Sequence, residues 1–184
     1  MKIHNINNLT YNSFRKNKVL LEELFEDSNI NFKKLIDIDV KLLSKESAED
    51  LWIYLYGSFY DKKTRWFPEE DHWMNFAECE KTGIIWMKDN IEMPFEMVKR
   101  DLKNKFMYEE DSKIFFFETE YEIIECSWKI FTTYWKDFIS YNNESKIWCY
   151  ASKEILQIRP YGDIVKFKRE LSCPTVHNLQ TTNR

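Results

Sequence analysis

The spacing of hydrophobic positions changes character about halfway along the chain. In the first half it is helical. Phe14, Leu20, Leu21, Leu24 and Phe25 predict a helix over residues 11–26, with Thr10 as its N-cap. Leu51, Trp52, Leu55 and Phe59 predict a second over about 45–57, capped by Ser44. Pro94 suits the first turn of a third, in which Phe95, Val98, Leu102 and Phe106 follow at intervals of 3, 4 and 4. Between the last two, residues 60–82 carry turn signals and much charge. They read as a loop holding a short helix near Asp71–Glu80, followed by a short buried strand at Ile84–Met87.

In the second half, apolar runs take over. Ile114–Phe117 reads as a buried strand and Tyr121–Ile124 as its neighbour. Ile124, Trp128, Phe131, Trp135 and Phe138 then recur at intervals of 4, 3, 4 and 3, which places all five on one helical stripe. After Asn142-Asn143 come Ile147–Tyr150, Ile155–Ile158 and Ile164–Phe167, separated by short polar breaks that include Gly162-Asp163. This is the pattern of an antiparallel meander. Helices first and strands later predict an α+β fold: N-terminal helices packed with a C-terminal antiparallel sheet and one aromatic-faced helix. With no internal repeat and no Pro/Gly/Ser linker, residues 1–171 are expected to form one domain, followed by a polar tail at 172–184.

Composition removes function classes rather than adding one. The 184 residues are 43% hydrophobic and 17% aromatic, ample for a core, and 27 basic against 31 acidic side chains leave a net charge of −4. Three glycines spell neither GxGxxG nor a P-loop, and His4, His72 and His177 never fall at HExxH spacing. Cys79, Cys126, Cys149 and Cys173 form no CxxC pair, so no zinc site and no cofactor is expected. Apolar runs such as Trp52–Tyr56 and Ile114–Phe117 are far too short to span a membrane. The first residues lack the apolar stretch of an export signal, and with unpaired cysteines this predicts a cytoplasmic protein. An acidic chain in which lysines far outnumber arginines is no standard duplex-binding module, so nucleic acid is not an expected partner.

Several small constellations have a chemical and a plainer reading. Asp37-Ile38-Asp39 resembles the D-x-D pairs that hold hard cations, yet two solvated carboxylates around a buried Ile38 account for it. Asp111 with Glu118-Thr119-Glu120 approaches a metal-dependent nuclease pattern, but Glu120 stands where that pattern needs a lysine. His72 lies among Glu69, Glu70 and Asp71, which favour the imidazolium and spoil it as a general base. A stripe of Trp128, Phe131, Trp135 and Phe138 at helical spacing is core rather than a base-stacking platform. The enzymatic alternative is a metal-dependent hydrolase or nuclease drawing on carboxylates of the middle third.

Charge distribution says more. Residues 67–125 carry 16 acidic and 7 basic side chains, a local net of −9, against +1 and +4 for the flanking segments. Within it, Glu69, Glu70, Asp71, Glu78 and Glu80 are interleaved with Trp73 and Phe76, and Glu109, Glu110 and Asp111 add a second acidic run. Such a mixture suits a basic protein partner, with carboxylates steering encounter and an aromatic side chain as anchor. These ten residues are the candidate partner-binding set.

Residues Ile114–Ile139 combine an aromatic-rich strand with E-x-x-W-x-x-F-x-x-x-W-x-x-F, here Glu125, Trp128, Phe131, Trp135 and Phe138, followed by Asn142-Asn143-Glu144 and a strand meander. Over roughly residues 110–168 this resembles small bacterial proteins that include immunity proteins of contact-dependent and other polymorphic toxin systems. The matched positions are core-type and carry fold rather than chemistry. The resemblance implies a protein without enzymatic activity whose ligand is a cognate toxin domain. Nucleases are common among such toxins, which agrees with an acidic inhibitor surface.

Overall fold

The structure, a computed structural model, describes residues 8–26, 40–56, 78–119, 121–141, 145–152 and 154–168. Its elements in chain order are α1 (Phe14–Leu24), β1 (Lys41–Leu42), α2 (Lys45–Tyr56), β2 (Glu78–Ile85), β3 (Met87–Lys88), β4 (Ile91–Glu92) and α3 (Phe95–Lys105). There follow β5 (Lys113–Phe117), β6 (Ile123–Ser127), α4 (Trp128–Thr133), α5 (Trp135–Tyr141), β7 (Lys146–Cys149), β8 (Glu154–Ile158) and β9 (Asp163–Lys168). The fold is α+β, as the sequence predicts. Seven strands form one antiparallel sheet in the order β1-β6-β5-β7-β8-β9-β2, and β3 and β4 form a separate hairpin. Among the described residues, no helix is long and apolar enough to cross a membrane.

Both sheet faces are buried because β5 is apolar without alternation. Ile114 and Phe116 point into the layer formed by α1, α3, α4 and α5, whereas Phe115 and Phe117 point toward α2. On the first face, Trp128 stacks on Phe131 at 5.5 Å, and Phe138 meets Phe25, Phe116 and Phe131 within 5.0–5.8 Å. Trp135 stacks on Phe95 and donates its indole N–H to the Phe95 carbonyl at 3.3 Å. On the second face, Leu51 and Leu55 of α2 cover Trp148, Ile155 and Val165.

Several local expectations need correction. The aromatic stripe is buried as predicted but belongs to two short helices, because the backbone departs from helix at Tyr134. The spacing survives since Tyr134 N–H still bonds to the Ile130 carbonyl and Phe138 N–H to the Tyr134 carbonyl. Ile124 is not on the helix. It lies in β6, and Ser127 ends that strand and caps α4 by accepting from Ile130 N–H. Thr10 does not cap α1, which starts at Phe14; its hydroxyl instead bonds to Ser44 and Ser47 at the start of α2. Ser44 does cap α2, accepting from Ser47 N–H.

The largest correction concerns Glu78–Glu80, expected at the end of a short helix. They open β2, whose register with β9 sets Glu78 opposite Lys168 and Glu80 opposite Lys166. The cross-strand ion pair of Glu80 with Lys166 supports a strand in a segment whose composition reads as loop. The adjoining Ile84–Met87 segment is not uniformly buried either. Ile84 and Trp86 face the core and Ile85 is exposed, the alternation of an edge.

Candidate functional site

Antiparallel register brings distant segments to one end of the sheet. Lys113 opens β5 there, Ser127 and Cys149 close β6 and β7, Glu154 opens β8, Lys168 closes β9 and Glu78 opens β2. The connector from α3 to β5, which holds Glu109, Glu110 and Asp111, reaches the same end. It is pinned by main-chain bonds: Ser112 N–H to the Glu109 carbonyl, Trp128 N–H to the Ser112 carbonyl and Lys129 N–H to the Glu110 carbonyl, all at 2.8–2.9 Å. Tyr150 joins from β7 through its N–H to the Lys113 carbonyl at 3.2 Å. Five of the ten candidate residues, Glu78, Glu80, Glu109, Glu110 and Asp111, are thus gathered at one end of the fold. Glu69, Glu70, Asp71, Trp73 and Phe76 lie outside the described residues.

Two of the acids are committed within the chain. Glu80 is ion-paired to Lys105 at 2.9 Å and to Lys166 at 2.8 Å. Its hydrogen bonds to those lysines hold its pKa down at about 2. Glu110 bridges Lys129 at 3.1 Å and Lys103 at 3.4 Å, and the Lys129 contact is the main cause of its lowered pKa. Lys103 and Lys105 sit in the last turn of α3, where cations also offset the helix dipole. The α3 C-terminus therefore ties down both acidic segments. Glu109 and Asp111 remain exposed and form no ion pair among the described residues.

Among the described residues, the apolar component at this end comes from Met107 and Tyr150. Met107 follows the buried Phe106 and is 90% exposed, immediately beside the acidic run; Tyr150 is 43% exposed and packs edge-on against Trp148. A signal for Met107 does exist in the sequence: the helical spacing of α3 ends at Phe106, which leaves the next side chain with no core position.

Polar groups deeper in this end are structural. Tyr108 donates its hydroxyl to Glu154, and burial followed by that bond raises its pKa above the ordinary tyrosine value. Lys166 reaches Glu154 at 3.4 Å as well as Glu80, so Lys105, Glu80, Lys166, Glu154 and Tyr108 form one compensated chain. On the opposite face Glu125, the first residue of the E-x-x-W pattern, is buried in β6 and not on a helix. Tyr11 donates to it at 2.8 Å and Lys113 pairs with it at 2.8 Å. Burial first, then the Glu125 bond, raises the Tyr11 pKa.

Of the residues named for the enzymatic alternative, Asp111 and Glu118 are among the described ones. Asp111 and Glu118 flank β5 at its two ends, so they do not share a site. Among the described residues, no three His, Cys, Asp or Glu side chains are grouped to hold a metal ion. Asp37, Asp39, Glu120, the three histidines and Cys173 lie outside the described residues.

Comparison with curated proteins and with solved structures finds no match to this chain. The family model described as "Protein of unknown function (DUF2947)" matches residues 13–165, and the chain therefore belongs to that family.

Proposed function

We propose that this chain is a non-catalytic immunity protein of the cytoplasm that binds and neutralises a cognate bacterial toxin domain with a basic surface. One observation carries the reading: exposed Glu109 and Asp111 flank a pinned connector that also presents Met107 to solvent. Carboxylates without an ion pair among the described residues are free to steer a basic protein, and an exposed apolar side chain among them supplies an anchor. The resemblance of Ile114–Ile139 to immunity proteins agrees with this reading and concerns the framework that carries the connector.

The test begins with the gene immediately upstream, which should encode a large protein ending in a toxin domain. Co-expression of this chain should protect cells from that domain. In titrations, replacing Glu109, Glu110 and Asp111 by Lys should slow association about tenfold and flatten its salt dependence. Met107→Ala should speed dissociation, costing on the order of 2 kcal/mol, or about thirtyfold. No protection, or full-affinity binding by both variants, would sink the proposal.

A further inference from the structure

A groove of about 660 Å³ lies at the other edge of the sheet, between α1, the start of α2 and the β5–β6 turn. Its floor is apolar: Leu20 and Leu42 are buried, and Val19 is half exposed. Two carboxylates line it, Glu23 from α1 and Glu122 from the turn, and neither is ion-paired among the described residues. The one cation in its lining, Lys45, lies against another lining residue, with its ammonium 4.7 Å from the centre of the Tyr121 ring, so the described lining carries two carboxylates and one cation.

We infer that this groove receives a lysine or arginine side chain from an extended segment of a basic protein partner. The chemistry of the lining selects that occupant. Only these residue types combine a long apolar stem, suited to Val19, Leu20 and Leu42, with a cationic head able to reach Glu23 and Glu122. An acidic segment would set like charge against Glu23 and Glu122, and a purely apolar one would offer them no cation. Lys45 against Tyr121 is an internal example of the same contact, a cation held over an aromatic wall of the groove. The groove is open to solvent rather than enclosed, which suits a side chain on an extended backbone better than an enclosed small molecule. This inference rests on the reading of a basic protein partner. It adds a second contact area remote from the acidic connector.

The probe is a capped leucine–arginine–leucine tripeptide, titrated into the full ¹⁵N-labelled chain. Its controls are the citrulline analogue, which keeps the shape and loses the charge, and the glutamate analogue. The arginine peptide should shift amide resonances of Val19, Glu23, Lys45, Tyr121 and Glu122, and citrulline should bind about tenfold more weakly. The double variant Glu23→Gln/Glu122→Gln should abolish the difference. Val19→Lys, at an exposed position, should block the groove in a chain whose core is untouched. Equal binding of arginine and citrulline, or shifts confined to Glu109–Asp111, would overturn the inference. The peptide titration needs no toxin, so failure of the immunity reading shows up separately, as lost protection in cells with a groove that still binds arginine.

Discussion

Gly162 permits a sharp quantitative test of how the β3–β4 hairpin is held. Its φ is +95°, and a Cβ placed there would overlap the Met87 carbonyl oxygen and lie 2.7 Å from that carbonyl's carbon. The same glycine's carbonyl accepts from Trp86 N–H at 2.7 Å and Met87 N–H at 3.2 Å. Gly162→Ala therefore forces a backbone conformation costing ~1–3 kcal/mol and displaces a main-chain carbonyl. It also loosens two hydrogen bonds worth ~1 kcal/mol each. The expected loss is ~3–5 kcal/mol out of a typical domain stability of ~5–15 kcal/mol. At this chain length that lowers Tm by roughly 6–20 °C.

Gly83 is the internal control. Its φ is +78°, but nothing lies within 4 Å of the position a Cβ would take, so Gly83→Ala bears only the conformational cost of ~1–2 kcal/mol. Urea unfolding of the two variants, followed by tryptophan fluorescence and compared at equal m, separates the contact from the dihedral. If both glycines cost the same, the close approach of Met87 to the β8–β9 turn is wrong, and so is the placement of the hairpin.

Other outcomes follow from the same contacts. Trp128→Ala and Trp135→Ala should each cost ~3–5 kcal/mol, because each empties a fully buried site; parent-like melting would mean that the α4–α5 face is not core. Glu125→Gln should cost ~1–3 kcal/mol by removing the Lys113 ion pair, and in a Tyr11→Phe background the cost should shrink, which a double-mutant cycle reads directly. Glu80 has a folded-state pKa of about 2, against an unfolded value near 4.5. Its contribution is present above pH 4.5 and lost as pH falls toward 2, so acid unfolding curves of the parent and Glu80→Gln should converge in that window. Tyr11 and Tyr108 have raised folded-state pKa values, so their contribution is complete below pH 10 and falls as pH rises beyond it. Phenolate absorbance should contain a late-titrating component that Tyr11→Phe and Tyr108→Phe each reduce.

What could be read from the sequence is what short-range periodicity encodes. The β7–β8–β9 meander was legible because three apolar runs alternate with polar breaks and one of those breaks contains Gly162. Burial of Trp128, Phe131, Trp135 and Phe138 was legible because the 3,4 spacing persists across the irregularity at Tyr134. That irregularity was not legible, and extending the stripe back to Ile124 mistook a strand residue for a helical one through a chance interval of four. β2 was hidden for a different reason. Glu-Cys-Glu-Lys has no strand signal of its own, and Lys166, 86 positions from Glu80, supplies the charge that supports a strand there. The Tyr11–Glu125–Lys113 cluster is hidden likewise, since 114 positions separate Tyr11 from Glu125.

Long-range pairing also reshapes the candidate surface. A net of −9 over residues 67–125 is a sum along the chain, whereas a partner meets a sum over a surface. Glu80, Glu92, Glu110 and Glu125 are each balanced by lysines, and Lys129, Lys136 and Lys166 come from beyond that acidic segment. At the end of the sheet that gathers the candidate residues, the acidic patch contracts toward Glu109 and Asp111, beside Met107. Recognition on so small a patch must draw much of its energy from the apolar anchor, with charge acting mainly on the approach. Salt should therefore slow association while leaving dissociation of the bound complex nearly unchanged. Met107→Ala should show the reverse pattern.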